Sequence, residues 1–150
     1  MIFFHISERE IGFRIHKLVF LIDKTTDKIL NEQLQITHSQ VIMMHAIKHR
    51  GEVSQTDIAK YWQITDAAVS RQVEILATKG FIKLWQNPQN RRENLLSLTG
   101  SGQNYLQKAF KLLDKTFSEL FQVLSASERK ILIESLDKLL QKLCKVPYEK

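Results

Sequence analysis

The sequence predicts a mostly helical chain that carries one small β-hairpin, and three observations lead there. Apolar residues recur at helical spacing over most of the 150 residues. Only two prolines and five glycines interrupt the chain, so long helices can run unbroken. Around residues 81–98 the period changes to a strand-like one, with a polar loop in the middle. The hydrophobic share of 43% and the charged share of 25% are ordinary for a folded protein and exclude disordered or collagen-like chains. The length suits a single domain spanning 1–150.

The elements follow in order. Over 11–34, Phe13, His16, Leu18, Phe20, Ile22, Ile29 and Leu30 make an unusually apolar helix whose surface calls for a partner. Thr37 and Gln40 form a capping-box signature before a helix over 41–49, which stops at Gly51. A third helix starts at Ser54 and ends near Gln63. Ile58, Ala59 and Trp62 are expected to face inward on it, Ala59 being small enough for a close helix crossing. Ile64 is expected to plug the following turn. A fourth helix, capped by Thr65, runs to Gly80, a residue suited to the left-handed position past a helix end. Residues 81–85 and 95–98 are the two strands of the hairpin. The seam Leu106, Phe110, Leu113, Phe117 and Leu120 then marks a long helix. A last one starts at Ser125, where Glu128 completes a second capping box. The centre of this order is a helix–turn–helix followed by a hairpin wing, with apolar helices on both sides.

On the fourth helix Val69, Val73 and Leu76 line one face, while Ala67, Ser70, Arg71 and Glu74 fall opposite. One strong donor among small residues suits a DNA major groove, where an arginine can reach guanine O6 and N7. From Lys79 to Arg92 the chain carries Lys79, Lys83, Arg91 and Arg92 and no acid. Two adjacent arginines beside Asn90 at a loop tip can enter a minor groove or clamp phosphates. The net charge of +6 favours an anionic partner. Residues 37–99 hold only half of that excess, so placement rather than total charge carries the reading.

In this order the sequence resembles the multiple antibiotic resistance regulator (MarR) family of bacterial transcription factors. The matching residues are Thr37-His38-Ser39-Gln40, Ser54-Gln55-Thr56-Asp57-Ile58-Ala59, Val69-Ser70-Arg71-Gln72-Val73-Glu74-Ile75-Leu76, Lys79-Gly80-Phe81-Ile82, Asn90-Arg91-Arg92 and Leu96-Ser97-Leu98-Thr99 with Gly102. The resemblance implies a winged-helix lobe over 37–99, a helix–turn–helix over 54–77, and dimerisation helices over 8–34 and 100–145. It also implies a homodimer that sets two recognition helices in successive major grooves of double-stranded DNA, at a pseudo-palindromic operator. Such a protein would act as a repressor released by a small effector. Ser54, Gln55, Ala67, Ala68, Ser70 and Arg71 would meet DNA through the helix–turn–helix, and Arg91 and Arg92 would carry the wing, where the basic hairpin adds Lys83 and Asn90 as candidates. The family usually has Asp where Asn90 stands, and a smaller Leu where Trp62 stands.

A dimer also follows from surface arithmetic, because the apolar outer helices exceed what a roughly 60-residue lobe can cover. Two copies would hold their reading heads about 34–36 Å apart. The rival reading is a winged-helix module that binds an acidic protein without reading base sequence. No Gly-rich phosphate loop, paired carboxylates or nucleophile–base signature is present, so neither an enzyme nor a cofactor is expected. His45 and His49 are four apart on a helix, but no Cys or carboxylate joins them at ligand spacing, so no metal is expected. Cys144 reads as a packing residue rather than a redox sensor, and a lone cysteine suits a reducing, cytoplasmic setting. Neither a membrane span nor a signal peptide is expected. Phe13, His16, Phe20, Met43, Met44 and Phe110 are the candidates for an apolar effector pocket.

Overall fold

The computed structural model describes residues 7–143, and Cys144 lies outside them. In chain order the elements are α1 (Glu8–Leu34), α2 (His38–Arg50), β1 (Val53–Ser54), α3 (Gln55–Trp62), α4 (Asp66–Thr78), β2 (Ile82–Gln86), β3 (Asn94–Leu98), α5 (Gly100–Phe121) and α6 (Ala126–Leu143). Each helix starts behind a Ser or Thr whose hydroxyl accepts the N–H three residues on. Ser7, Thr37, Ser54, Thr65, Thr99 and Ser125 fill that role in turn. Such a cap is worth about 1 kcal/mol, and it explains why the helix starts are legible from local signals. The capping box at Thr37 and Gln40 is complete, the Gln40 carboxamide oxygen accepting the Thr37 N–H at 3.2 Å. Gly80, at φ +73°, turns the chain left-handed into the wing.

The sheet is antiparallel in the order β1-β3-β2. The hairpin register pairs Ile82 with Leu98, Leu84 with Leu96 and Gln86 with Asn94. The expected hairpin is present; the edge strand β1, which pairs Val53 with Leu96, is an addition that two residues cannot announce by any periodic pattern. The core gathers Leu30 and Ile36 with Met43, Met44 and Ile47 of α2, Ile58 and Ala59 of α3, Val69, Val73 and Leu76 of α4, Leu96 and Leu98 of β3, and Leu106 and Leu113 of α5. The α5 seam therefore buries its first half. Phe110 and Phe117 are half-buried, and Leu120 is exposed.

Two inward expectations are corrected. Trp62 is 39% exposed and Ile64 is 43% exposed, because α3 buries only Ile58 and Ala59 and its last residue turns outward with the chain. The outer helices are little covered. Residues 8–21 of α1 are exposed throughout, although they include Ile11, Phe13, Leu18, Val19, Phe20 and Leu21. On α6 no residue is buried.

Candidate nucleic-acid interface

The turn between α3 and α4 aims the fourth helix outward. Gln63 takes the left-handed conformation (φ +52°) that ends α3, and the Ile64 N–H bonds back to the Ala59 carbonyl at 3.1 Å. Val69, Val73 and Leu76 then anchor α4 in the core. Opposite them, Ala67, Ala68, Ser70, Arg71 and Glu74 are exposed. The Arg71 guanidinium has no hydrogen bond or ion pair among the described residues, so its donors are free for a ligand. The three flanks of α4 have different neighbours. Ser70 faces α3, its hydroxyl at 3.5 Å from the Gln55 side-chain oxygen, whereas Ala68, Gln72 and Ile75 face a cleft against α2.

Ser54 does not reach this surface. It is 4% exposed, and its hydroxyl accepts the Asp57 N–H at 3.0 Å, so capping α3 and pairing in β1 consume it. Gln55, half-buried at the start of α3, is the residue that stands beside Ser70.

The wing is shaped by neutral side chains. Gln86 donates its amide to the Arg91 carbonyl at 2.8 Å, and the Asn87 oxygen accepts the Gln89 N–H at 3.0 Å. The Asn90 oxygen accepts the Arg92 N–H at 3.3 Å, and Asn87 also reaches the Glu93 carboxylate at 3.5 Å. The Asn90 carboxamide thus serves as a turn former. Neither the Arg91 nor the Arg92 guanidinium is ion-paired among the described residues, and both are exposed. Lys83 projects from β2 with its ammonium 5.2 Å from the centre of the Trp85 ring. That placement holds a cation on the outer face of the strand.

The expected effector set is not brought together. Met43 and Met44 are buried in the core, whereas Phe13 is 67% and Phe20 is 61% exposed on α1, where His16 is exposed as well. Phe110 sits on α5 with its ring 5.2 Å from that of His45. Of the six, Met43 alone lines the cleft beside α4. Spacing along the chain does not tell which residues share a side of the lobe. The His45 and His49 rings meet edge to face at 4.6 Å. Among the described residues no group of three or more His, Cys, Asp or Glu is placed to hold a metal ion. Likewise, none of the described helices is long and apolar enough to cross a membrane.

A helix–turn–helix with a basic wing defines the class of winged-helix proteins, and comparison narrows it. Residues 36–94 match the MarR family model. The HTH-type transcriptional regulator YdcH of Bacillus subtilis (strain 168) is 31% identical over 113 residues, covering 73% of this chain and 76% of the relative. YdgJ of the same organism, also an HTH-type transcriptional regulator, is 31% identical over 101 residues, 67% of this chain and 62% of its own length. The crystal structure of an S. aureus MepR–DNA complex has the same fold, with a TM-score of 0.78 at 24% identity, covering 93% of this chain and 100% of that one. This chain belongs to the MarR family.

Proposed function

We propose that the chain is a DNA-binding transcriptional regulator that reads its operator as a homodimer and acts as a repressor. The observation that carries the reading is the set of three unpaired guanidinia, Arg71 on the recognition helix and Arg91 and Arg92 on the wing. An arginine left free on an exposed helix face can read a base edge, and two on a loop tip can hold phosphates or enter a minor groove. In this reading Ala67, Ala68 and Ser70 allow close approach of the backbone, Gln55 and Lys83 support from the flanks, and Asn90 shapes the loop. Membership of the MarR family, and the bound DNA named for the MepR complex, support the same conclusion.

The second copy is the natural cover for α1 and α6. A helix with no buried residue and exposed Ile131, Ile133, Leu136, Leu139 and Leu143 is not held by its own propensity, and packing must supply the rest. Residues 37–99 then form the DNA-binding lobe, with dimerisation helices before and after it. An effector would act by changing the separation of the two recognition helices. A regulator of this kind works in the cytoplasm.

The test is a fluorescence-anisotropy titration of a duplex from the intergenic region beside the gene, with a random duplex of the same length as competitor, at two salt concentrations. The expected result is preference for the native duplex at both salts. Equal affinity for the two duplexes would overturn the reading and favour a basic protein-interaction surface.

A further inference from the structure

The basic residues between 79 and 92 do not share one fate. The Arg91 and Arg92 guanidinia are unpaired among the described residues, and Lys83 lies over the Trp85 ring on the wing. The Lys79 ammonium instead turns back onto the protein and donates to the Gln35 carbonyl at 2.7 Å, 44 residues earlier in the chain. Gln35 is the left-handed residue (φ +50°) that ends α1. The carbonyl just before it, that of Leu34, accepts the Tyr105 hydroxyl from α5. Two consecutive carbonyls at the end of α1 are thus taken by side chains from other elements.

These carbonyls are the negative end of the helix, and the last turn of α1 holds no basic residue of its own. Lys79, the residue that ends α4, supplies the cation. Tyr105 also reaches the corner that follows Lys79. Its ring stacks on the Phe81 ring at 4.2 Å with 28° between the planes, and the Phe81 N–H bonds back to the Leu76 carbonyl of α4 at 2.9 Å. The ends of α1 and α4 and the first turns of α5 therefore meet in one joint.

We propose that Lys79 and Tyr105 are positioning residues for operator reading: they fasten the C-terminal end of α4 to the end of α1, and so fix the separation of the two recognition helices in the dimer. This role rests on the dimeric DNA-binding reading above, in which α1 is a dimerisation helix. The exposed residues 8–21 of α1 lie on one side of the joint and the exposed Arg71 on the other. A fixed separation matters because one extra base pair shifts a half-site by about 3.4 Å and turns it by about 34°.

The experiment compares the full-length native protein with Lys79→Met, Lys79→Arg and Tyr105→Phe by anisotropy on two duplexes. One is the footprinted intergenic segment, and the other has a base pair inserted at its centre. The native protein is expected to prefer the uninterrupted duplex. Lys79→Met and Tyr105→Phe are each expected to shrink that preference about fivefold, the worth of one hydrogen bond, with the salt dependence unchanged. Lys79→Arg, which keeps a charged donor, is expected to retain it. Circular-dichroism melts check that the variants fold. A second measurement needs no DNA. With a nitroxide on Ala67→Cys, at the end of α4 far from the joint, in a Cys144→Ser background, pulsed EPR reads the distance between the two recognition helices. Lys79→Met is expected to broaden that distribution. Spacing preference that survives both Lys79→Met and Tyr105→Phe, or a distribution that Lys79→Met leaves unchanged, would overturn the proposal. So would an equal loss on both duplexes with a shallower salt dependence in Lys79→Met, which would make Lys79 a phosphate contact. If the native protein treats intergenic and random duplexes alike while Lys79→Met still broadens the distribution, the joint stands and the DNA-binding reading falls.

Discussion

Gly102 lies flat against the backbone of Phe81: a Cβ added to the glycine would collide with the Phe81 carbonyl oxygen and crowd its Cα. The contact is reinforced from both ends. Thr99 donates its N–H to the same Phe81 carbonyl at 3.0 Å, donates its hydroxyl to the Gly80 carbonyl at 2.7 Å, and accepts the Gly102 N–H at 2.9 Å. The start of α5 is thereby fastened to the corner where the recognition helix passes into the wing.

Gly102→Ala is therefore expected to destabilise the protein by about 1–3 kcal/mol, as overpacking does against backbone that cannot move aside. Urea unfolding measures it. A native-like midpoint would mean that α5 can shift from the wing without cost.

Arg71→Ala is expected to cost about 1–3 kcal/mol in binding the native duplex and to relax preference at one base position. Replacing Arg91 or Arg92 by Ala should weaken all duplexes more evenly and make log affinity less steep against log salt, by about one for each phosphate left without its cation. Anisotropy titrations on native and singly changed duplexes separate the two outcomes. If Arg71→Ala weakened native and random duplexes alike, its role would be to hold a phosphate.

The uncovered helices make a third prediction. The native protein should run as a dimer of 17.5 kDa chains in light scattering, and Phe20→Asp on α1 or Leu139→Asp on α6 should shift it toward monomer. Both positions are exposed within one chain, so the changes should leave the winged lobe folded. A monomeric native protein would contradict the assignment of these helices.

A fourth prediction concerns pH. Partial desolvation beside the Phe110 ring of α5, then the charges of His49 and Lys48, hold the His45 imidazole below its ordinary value of 6.5. The unfolded chain therefore binds the proton more readily than the folded one. The stability tied to His45 is fully present above pH 6.5, declines as pH falls through that value, and levels off below the depressed folded value. Comparing urea midpoints at pH 7.5 and 5.5, His45→Gln should lose less stability on acidification than the native protein. An identical loss in both would show that His45 is not the group responsible.

Much of the candidate interface is legible in the chain itself. The recognition helix can be placed because Val69, Val73 and Leu76 set its buried face, which leaves Arg71 outward by geometry alone. The wing can be placed because two apolar strands flank a loop of Asn, Gln, Pro and Arg. The resemblance implies a DNA contact for Ser54, but a serine before a helix signals a cap wherever that cap lies, and its burial comes from β1 pairing with a strand some 40 residues on. The effector set disperses for a similar reason, since Phe13 and Met44 are both apolar but belong to opposite environments.

Taken alone, the order of residues determined the helices, the starts at Thr37, Ser54, Thr65 and Ser125, the turn at Gly80 and the helix–turn–helix with its basic hairpin, because each depends on neighbours within a few positions; the start of α1 at Glu8 behind Ser7 lies three residues before the expected one. Only the packed chain decided that Trp62 and Ile64 wall a cleft, that the Gln72 oxygen is buried without a donor, and that Gly102 meets Phe81. Those relationships arise where segments distant in sequence cross. Their distances follow from how whole helices and strands fit together, which no local spacing encodes.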